Sequence, residues 1–341
     1  MLPRNVLAIR KTWGSTISSN GSHGLPHPST TEILTTLTTK TSHATLLDYP
    51  NGSYTGMRTF NKVGIMDFTG HTARLANSLQ QISFAPGGEE GGAKEDPEVV
   101  AGLAALRTHE VMTKETTDLV RAGLKFYYKQ FKEPAQDLLS AVGETKVTVL
   151  CTWDPKDKEP TLLAHFEPLR TPKTPRCKVE VHGSPRHHAT AKDSQWVRDR
   201  SKLEEALSKD SNEALLLDET TQDVYEGLSS NFFALDRATK TLVTAPLDSV
   251  LTGTILKVVV NVCEQYKIPV KFAFPNLKHV DGWEGAFISS TSRLVLPIET
   301  MVLPDGSTKQ FGESATLELI RGQVLKECHK RAESLLSEEE L

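Results

Sequence analysis

The chain has 341 residues, of which 38% are apolar and 24% are charged, and its net charge is −4. This length is about right for two domains. The interleaved charges form no basic patch for a nucleic acid, and no apolar run approaches the roughly 18 residues that would indicate a membrane span. Cysteine is sparse and forms no CxxC pair, which argues against a zinc site, so that no metal site is predicted.

The N-terminal segment has an unusual composition. Residues 1–31 contain no Asp or Glu, while Ser, Thr and Gly are frequent and Arg4, Arg10 and Lys11 are basic. This composition is typical of an organelle transit peptide, and equally of a disordered extension. Residues 1–45 are therefore predicted to be a flexible extension or a transit segment. The compartment stays open: cytoplasmic, or plastid or mitochondrial if the segment is a transit peptide.

The predicted elements follow in chain order. Residues 84–98 are rich in glycine and charge and are predicted to be a surface loop. Helical periodicity follows over residues 99–131, and further helices are predicted at 255–266 and 314–336. The strand-like segments are 146–153, 161–169, 177–183, 213–218, 230–236, 241–246, 271–274, 285–290 and 295–303. Grouped helices and closely spaced strands favour an α+β class over a regular βαβ alternation.

Three segments have features of an anion site. The helix at 255–266 begins after Leu-Thr-Gly-Thr at 251–254, where backbone N–H groups meet the positive end of the helix dipole. Hydroxyls follow a short strand at 289–292, and Arg74 lies in a helical pattern. Taken singly, these are typical of a helix cap, a polar turn and a surface arginine. If all three meet, they would form a phosphate clamp.

Two further side chains have the chemistry of a catalytic site. Lys192 lies just before a helix-like segment that starts at about Trp196, and Glu226 lies between Tyr225 and Gly227 at the end of a predicted core strand. Each has an ordinary interpretation: a solvated lysine, and an acid that faces water. An amine can act as a nucleophile and a proton carrier. The motifs around Lys192 and Glu226 are needed to decide between the catalytic and the ordinary interpretation.

The motifs together resemble a known family. The ordered set is HTARLANS, AKDSQWVRDRSKLE, EALLLD with VYEGLSSNFFAL, TAPLDSVLTGT and FISSTSRLVLPI, over roughly residues 50–300. This set is similar to the fold-type IV pyridoxal-phosphate enzymes, the class IV aminotransferases, which include branched-chain and D-amino-acid aminotransferases and aminodeoxychorismate lyase. The form AKDSQWVRDR is most similar to a divergent eukaryotic branch of aminotransferase-like proteins.

The resemblance implies a fold and an assembly. It implies a small N-terminal α/β domain, placed at residues 46–155, and a larger C-terminal cofactor-binding domain with a β-barrel-like core, placed at 186–341. Residues 156–185 would connect the two. The family resemblance also implies pyridoxal 5′-phosphate as the cofactor and a homodimer as the assembly.

The resemblance also implies residue roles. Lys192 matches the lysine that forms the Schiff base, Glu226 the acid that faces the pyridine nitrogen, and Arg74 the arginine that holds the cofactor phosphate. The two phosphate loops match, respectively, Gly253, Thr254 and Ile255, and Ser290 and Thr291. A carboxylate beside the ring nitrogen keeps it protonated, so that the ring accepts electrons from the substrate carbanion.

The sequence departs from the family pattern in three places. The threonine hydroxyl comes directly after Gly253, one position earlier than in the family's Gly-Ile-Thr. Trp196 and Val197 occupy the region where branched-chain aminotransferases have a tyrosine, and Ser290 replaces a glycine. Cofactor binding is therefore predicted, while the reaction type stays open.

The substrate side is less defined. The candidates for holding the substrate α-carboxylate are Tyr54, Arg186, Arg198 and Arg293. The leading prediction is an aminotransferase that acts on an amino acid and a 2-oxo acid. The alternatives are a lyase of the aminodeoxychorismate lyase type, which would share all the cofactor residues, and a non-catalytic binding or scaffold member of the family.

Overall fold

The computed structural model describes residues 4–11, 32–85, 94–131, 143–170, 172, 174–186 and 189–340. Most of the acid-free segment, at 12–31, and part of the predicted surface loop, at 86–93, lie outside the described residues. The described chain forms two β-sheets with helices packed against them. This is the α+β class that the sequence predicts.

The first sheet has seven strands. They are β1 (Asn5–Lys11), β2 (Glu32–Thr38), β3 (Gly52–Phe60), β4 (Gly64–Met66), β5 (Thr145–Asp154), β6 (Glu159–Pro168) and β16 (Ala332–Ser334). They pair antiparallel in the order β16-β4-β3-β5-β6-β1-β2. This sheet therefore combines strands from the start of the described chain, β1 and β2, with one from its end, β16.

The second sheet closes into a ring. Its strands are β7 (Cys177–Val181), β8 (Glu213–Asp218), β9 (Asp223–Gly227), β10 (Asn231–Asp236), β11 (Leu242–Thr244), β12 (Val270–Phe272), β13 (Trp283–Ser290), β14 (Leu294–Val302) and β15 (Thr308–Gln310). Six of them pair in the cycle β10-β13-β14-β7-β8-β9-β10, and the pair Asn231 and Glu226 completes it. The predicted barrel-like core is confirmed.

Helices cover both sheets. They are α1 (Ser42–Asp48), α2 (Phe68–Gln81), α3 (Pro97–Leu103), α4 (His109–Gln130), α5 (Gln195–Asp199), α6 (Ser201–Ala206), α7 (Thr254–Gln265) and α8 (Ala315–Lys330), with 3-10 turns at Leu277–Gly282 and Glu338–Glu340. Helices α2 and α4 pack on the first sheet. A Cβ on Gly123 of α4 would lie 2.1 Å from the Phe166 ring, so this glycine allows α4 to approach β6.

Helix α7 packs on the ring of strands together with α8. Its buried residues follow a helical period: Ile255, Leu256, Val258, Val259, Val262 and Cys263. They join a core with the stacked rings of Phe233 and Phe287, whose centroids lie 4.6 Å apart. This packing fixes the N-terminus of α7 at the rim of the ring.

Two predicted helices differ from the observed ones. The predicted helix at 99–131 is two helices, α3 and α4, because Thr108 adopts an extended conformation and its hydroxyl donates to the Ala105 carbonyl. The predicted helix at 314–336 ends at Lys330, and β16 follows. The partner of β16 is β4, about 270 residues earlier in the chain, so no local pattern indicates this strand.

The first sheet extends past the limits predicted for the small domain. Strands β1 and β2 lie within residues 1–45, which were predicted as an extension, and β6 lies within the predicted connection at 156–185. The reason is pairing over long sequence distances, since β1 lies between β2 and β6.

Three further observations concern the described part of the chain. None of its helices has the length and apolar character needed to cross a membrane. Within the same residues, no group of three His, Cys, Asp or Glu side chains could hold a metal ion. Cys151, Cys177, Cys263 and Cys328 are buried and free.

Candidate active site

The two sheets meet at a cavity of about 330 Å³. Its lining includes most of the predicted site residues: Tyr54, Arg74, Arg186, Lys192, Glu226, Gly253, Thr254, Ile255, Ser290, Thr291 and Arg293. The volume is at the lower end of the range for small-molecule sites. The structure thus brings together residues that are spread over 240 positions of the sequence.

Lys192 is fixed by its backbone. Its N–H donates to the Ser78 hydroxyl of α2 at 3.0 Å, and its carbonyl accepts from the Tyr54 N–H of β3 at 3.0 Å. The side chain is therefore free to reach into the cavity, where Nζ lies 4.7 Å from the Tyr54 ring centroid. Burial lowers the pKa of Lys192, and Arg74 and Arg186 lower it further against the opposing effect of Tyr54. The amine therefore loses its proton more easily here than in water.

Tyr54 lies between cations. It is 7% exposed, and burial alone would raise its pKa. The charges of Lys192, Arg200 and Arg186 outweigh this effect and lower the pKa of Tyr54 to about 8. A phenol with this pKa is partly ionised near neutral pH.

Arg200 is a site residue that the sequence reasoning missed. It is buried, lines the cavity, donates to the Leu228 carbonyl at 2.8 Å and forms an ion pair with Glu204 at 2.9 Å. The Trp196 indole donates to the same Leu228 carbonyl at 2.8 Å. The spacing of four between Trp196 and Arg200 is the signal that could have placed both on one side of a helical segment.

Glu226 has partners on both carboxylate oxygens. Oε1 accepts from Arg186 Nε at 2.8 Å, and Oε2 accepts from the Leu251 N–H at 3.2 Å. Burial raises the pKa of Glu226, and Arg186 opposes that rise. The position of the carboxylate is set by the strand pair that closes the ring, where Glu226 faces Asn231.

Arg186 has a different role from the predicted contact with a substrate carboxylate. Besides Glu226, its guanidinium donates to the carbonyls of Ala189, at 2.5 Å, and Ala191, at 3.5 Å. It also lies over the Trp196 ring at 5.6 Å. These contacts orient it toward Glu226 and the loop that leads to Lys192.

Arg74 lies at the N-terminus of α7, where the two could hold an anion. Its Nη1 donates to the Thr254 hydroxyl at 3.1 Å, and its Nη2 donates to the Thr55 hydroxyl at 2.9 Å. No carboxylate of the described residues forms an ion pair with Arg74, and its Nε is buried without a partner. Asp67 is the acid whose charge acts on Arg74, but it makes no ion pair with it, and a guanidinium with no carboxylate in contact can bind an anion.

The N-terminus of α7 completes this anion site. Gly253 precedes the helix, and no side chain caps the first N–H groups. A Cβ at Gly253 would lie 2.3 Å from Asn231 Oδ1, so any larger residue there would displace the Asn231 side chain. The Ser289 hydroxyl is also buried and has no partner. Helix N–H groups and an arginine fit a phosphate, and Lys192 and Glu226 in the same cavity fit the aldehyde and ring nitrogen of pyridoxal phosphate.

His71 holds Arg74 in place. Its Nδ1 lies 3.0 Å from Arg74 Nη2 and 2.8 Å from the Thr55 hydroxyl. Since a guanidinium can only donate, Nδ1 accepts and Nε2 carries the proton. Burial and then the charge of Arg74 lower the pKa of His71 well below its ordinary value, so His71 is neutral. His71 and Thr55 had no predicted role.

The two remaining arginine candidates differ in position. Arg198 is not among the residues that line the cavity; it donates to the carbonyls of Leu46 and Tyr49 at the end of α1. This position does not support a substrate contact. Arg293 lines the cavity and forms an ion pair with Glu213 at 2.5 Å.

Comparisons with known proteins agree with this fold and site. The family model described as Amino-transferase class IV matches residues 52–301. No curated protein matches the sequence. Among solved structures, a branched-chain aminotransferase from Thermoproteus uzoniensis is 17% identical, with 88% of this chain and 97% of that chain covered and a TM-score of 0.63.

Two other solved structures are similar. A fold IV-transaminase from Curtobacterium pusillum is 15% identical over 96% of this chain and 98% of that chain, with a TM-score of 0.62. A hypothetical aminotransferase from Mycobacterium tuberculosis, in its PLP-bound form, is 14% identical over 80% of this chain and 87% of that chain, with a TM-score of 0.55. At these identities the likeness shows the fold.

Proposed function

This chain belongs to the class IV aminotransferase family, and we propose that it is a pyridoxal-phosphate-dependent aminotransferase that acts on an amino acid and a 2-oxo acid. One observation carries the proposal: Lys192, Glu226 and the guanidinium of Arg74, for which no ion pair is seen among the described residues, line one cavity. When bound, pyridoxal phosphate would supply the electron sink that amino-group transfer requires.

Phosphate binding is the task of two helices. Arg74 of α2 and the first N–H groups of α7 would hold the phosphate, and the Thr254 hydroxyl lies 3.1 Å from Arg74. The threonine displaced by one position from the family pattern therefore still brings its hydroxyl to the cavity. His71 and Thr55 keep the guanidinium in this orientation.

Glu226 would hold a proton on the cofactor's ring nitrogen. Its raised pKa makes its carboxylate a better hydrogen-bond acceptor for an N–H proton than an ordinary surface acid. Arg186 and the Leu251 N–H prevent the carboxylate from rotating away. The carboxylate is thus oriented before the cofactor binds.

Lys192 would bind the cofactor covalently and carry the proton. Its lowered pKa favours loss of the proton that must leave before Nζ can attack an aldehyde. Once it is released from the cofactor, the same Nζ could accept the proton from the α-carbon of the substrate. It could then return this proton to the carbon that carried the cofactor's aldehyde. Tyr54, beside Nζ, raises the pKa of Lys192 and can therefore stabilise the charged amine.

We include a homodimer in the proposal, as the family resemblance implies. Leu34 and Leu37 of β2 and Leu47 of α1 are exposed, and α1 also contributes Ser42 and Leu46 to the cavity lining. A second copy of the chain would cover them. Light scattering of the purified protein should give twice the mass of the 37.6 kDa chain.

The test is spectroscopic. Addition of pyridoxal phosphate to the purified protein should give the absorbance band of lysine-bound cofactor, at about 410–430 nm. Borohydride reduction followed by peptide mapping should place the label on Lys192, and Lys192→Ala should abolish the band. A band that survives in this variant would rule out Lys192.

The products then identify the reaction. Formation of a 2-oxo acid from an amino acid, with transfer of the amino group to a second 2-oxo acid, supports an aminotransferase. Release of pyruvate without an amino acceptor would instead indicate the lyase, which would use the same cofactor residues. Absence of any band at saturating cofactor would favour the non-catalytic alternative.

A further inference from the structure

The Tyr54 phenol is held beside Lys192 by main-chain hydrogen bonds. The Tyr54 N–H donates to the Lys192 carbonyl at 3.0 Å, and two residues further along each segment the Ser194 N–H donates to the Gly52 carbonyl at 2.8 Å. Strand β3 and the loop that carries Lys192 are therefore joined at both residues. The two side chains stay adjacent, with Lys192 Nζ 4.7 Å from the centroid of the Tyr54 ring.

The rest of the Tyr54 ring lies among apolar side chains. The buried members of this cluster come from α1, β5, β6 and α5, and they are Leu46, Leu150, Leu163 and Val197. None of these side chains carries a charge or a hydrogen-bond donor. The charge state of the phenol is therefore set by the polar groups that line the cavity.

Arg200 is the second cation beside Tyr54. It is 8% exposed and lies where α5 ends and α6 begins. Its Nη1 donates to the Leu228 carbonyl at 2.8 Å, and its Nε lies 2.9 Å from Glu204 Oε1. Burial would lower the pKa of Arg200, but the charges of Tyr54, Glu204 and Glu213 and a hydrogen bond with Tyr54 raise it. The guanidinium and the phenol oxygen therefore stabilise each other in their charged forms.

The charges around Tyr54 are mostly positive. Burial would raise the pKa of Tyr54, whereas Lys192, Arg200 and Arg186 lower it to about 8. Glu226 is the one acid among the described residues that line the cavity, and Arg186 binds it. The other titratable groups on the surrounding elements are His43, Tyr49, Arg74, Lys146 and Arg293. The Tyr54 oxygen is therefore the group that can balance Lys192 and Arg200.

We propose that Arg200 is a positioning residue that holds the Tyr54 oxygen as an anion, and that Tyr54 accepts the proton that Lys192 must lose before it can act as a nucleophile. In this step an N–H bond of the ammonium breaks and its electron pair stays on Nζ, while an O–H bond forms on Tyr54. An ammonium and a phenolate become an amine and a phenol, so no other reactant is needed. The use of the amine rests on the proposed function.

The first test is a titration of the full-length, cofactor-free protein by ultraviolet difference absorbance. The Tyr54 phenol should ionise with a midpoint near pH 8, and Tyr54→Phe identifies its signal. Arg200→Gln removes the charge but keeps a donor for the Leu228 carbonyl, and it should raise the midpoint by at least about one unit. Arg200→Lys keeps the charge and should stay within about half a unit of wild type.

Two neighbouring residues provide matched controls. Arg198→Gln removes a charge from the same segment, but this guanidinium donates to carbonyls at the end of α1 and does not line the cavity. Trp196→Phe removes the other donor to the Leu228 carbonyl without changing a charge. Both variants should keep the midpoint near pH 8. An unchanged midpoint in Arg200→Gln, or an equal rise in Trp196→Phe, would overturn the role of Arg200.

The second test measures the reactivity of Lys192. The rate at which added pyridoxal phosphate gives the band of lysine-bound cofactor should rise with pH around the midpoint of the phenol. In Arg200→Gln this rise should move to higher pH, and in Arg200→Lys it should return. Tyr54→Phe should lose the rise near pH 8 and react at least about tenfold more slowly. A Tyr54→Phe variant as fast as wild type would overturn the proposal, even if Arg200→Gln does not fold.

The two tests separate this inference from the proposed function. A phenol midpoint that moves with Arg200, in a protein that transfers no amino group, would support the pair and contradict the function. Transfer of an amino group, with a phenol midpoint that does not respond to Arg200, would support the function and overturn the inference.

Discussion

The Arg74 guanidinium donates to the Thr254 hydroxyl at 3.1 Å and so connects α2, which packs on the first sheet, to the first residue of α7, which packs on the ring of strands. The anion site therefore belongs to both halves of the molecule. A phosphate bound there would strengthen a contact that the protein alone makes through one hydroxyl.

The first prediction concerns this hydroxyl. Thr254→Val should weaken pyridoxal phosphate binding about five- to tenfold, because one hydrogen bond is lost while the helix N–H groups remain. Titration of the cofactor-free protein would measure this. Thr252→Val is the matched control, since Thr252 does not line the cavity and its hydroxyl donates to the Leu247 carbonyl. Equal losses in the two variants would contradict the assignment.

The second prediction concerns Glu226. Glu226→Gln should lower the aminotransferase rate at least about 100-fold, since an amide cannot hold the ring nitrogen in its protonated form. The cofactor should still bind, so the absorbance band separates this effect from loss of the site. Glu95→Gln is the control: it removes the charge of another arginine-paired glutamate, bound to Arg107 at 2.9 Å, outside the cavity. A fully active Glu226→Gln enzyme would refute the role.

The third prediction concerns the ionisation of Tyr54. In the cofactor-free protein, one phenol should titrate with a midpoint near pH 8, by ultraviolet difference absorbance, and Tyr54→Phe should remove that transition. Tyr128 would not contribute, since burial raises its pKa to about 12. A titration that is unchanged in the Tyr54→Phe variant would assign the transition to another group.

The lowered pKa of Tyr54 also predicts how its effect on stability changes with pH. Its pKa of about 8 in the folded chain lies below the ordinary value of 10.0. The ionised form of Tyr54 is therefore more favourable in the folded chain than in the unfolded one. Its ionisation adds nothing to the free energy of unfolding below about pH 8 and contributes fully above about pH 10. A shift of this size corresponds to roughly 2–3 kcal/mol. The stability difference between wild type and Tyr54→Phe should grow over this range.

The fourth prediction concerns Glu333 of β16. Its carboxylate accepts from the Thr69 N–H at 2.9 Å and from the Thr69 hydroxyl at 2.5 Å, so it caps α2, whose own N-cap residue Asp67 makes no such bond. Glu333→Ala should lower the free energy of unfolding by about 1 kcal/mol and weaken cofactor binding through Arg74. Glu313→Ala, at an exposed glutamate, is the control for stability, and an unchanged cofactor affinity would limit Glu333 to a structural role.

Local patterns predicted individual elements well. Strand β8 has the predicted limits, 213–218, and α7 begins one residue before its predicted start, because both are set by their own apolar spacing. The pairing of β1 with β6 and that of β16 with β4 join segments far apart in the chain and could not be predicted in this way. The sequence therefore predicted single elements better than it predicted which strands pair.

The same distinction holds for the site. The ordered motifs placed Lys192, Glu226 and Arg74 in one cavity, as the structure does. The sequence could not separate Arg186, which binds Glu226, from Arg198, which binds the end of α1, because both are arginines near the same lysine. The two side chains extend in different directions, and tertiary packing sets those directions.

The return of the last strand has a consequence for synthesis of the chain. Strand β16 completes the first sheet beside β4, and Leu335 and Leu336, which follow it, are buried in the core beneath that sheet. These residues follow every other described strand in the sequence, so the first sheet stays open on the ribosome until they have been made. Its edge at β4 is exposed throughout that time, and unpaired edges favour aggregation. A nascent chain of this protein is therefore expected to depend on chaperones, and a premature stop codon before residue 332 would release a protein with that edge uncovered.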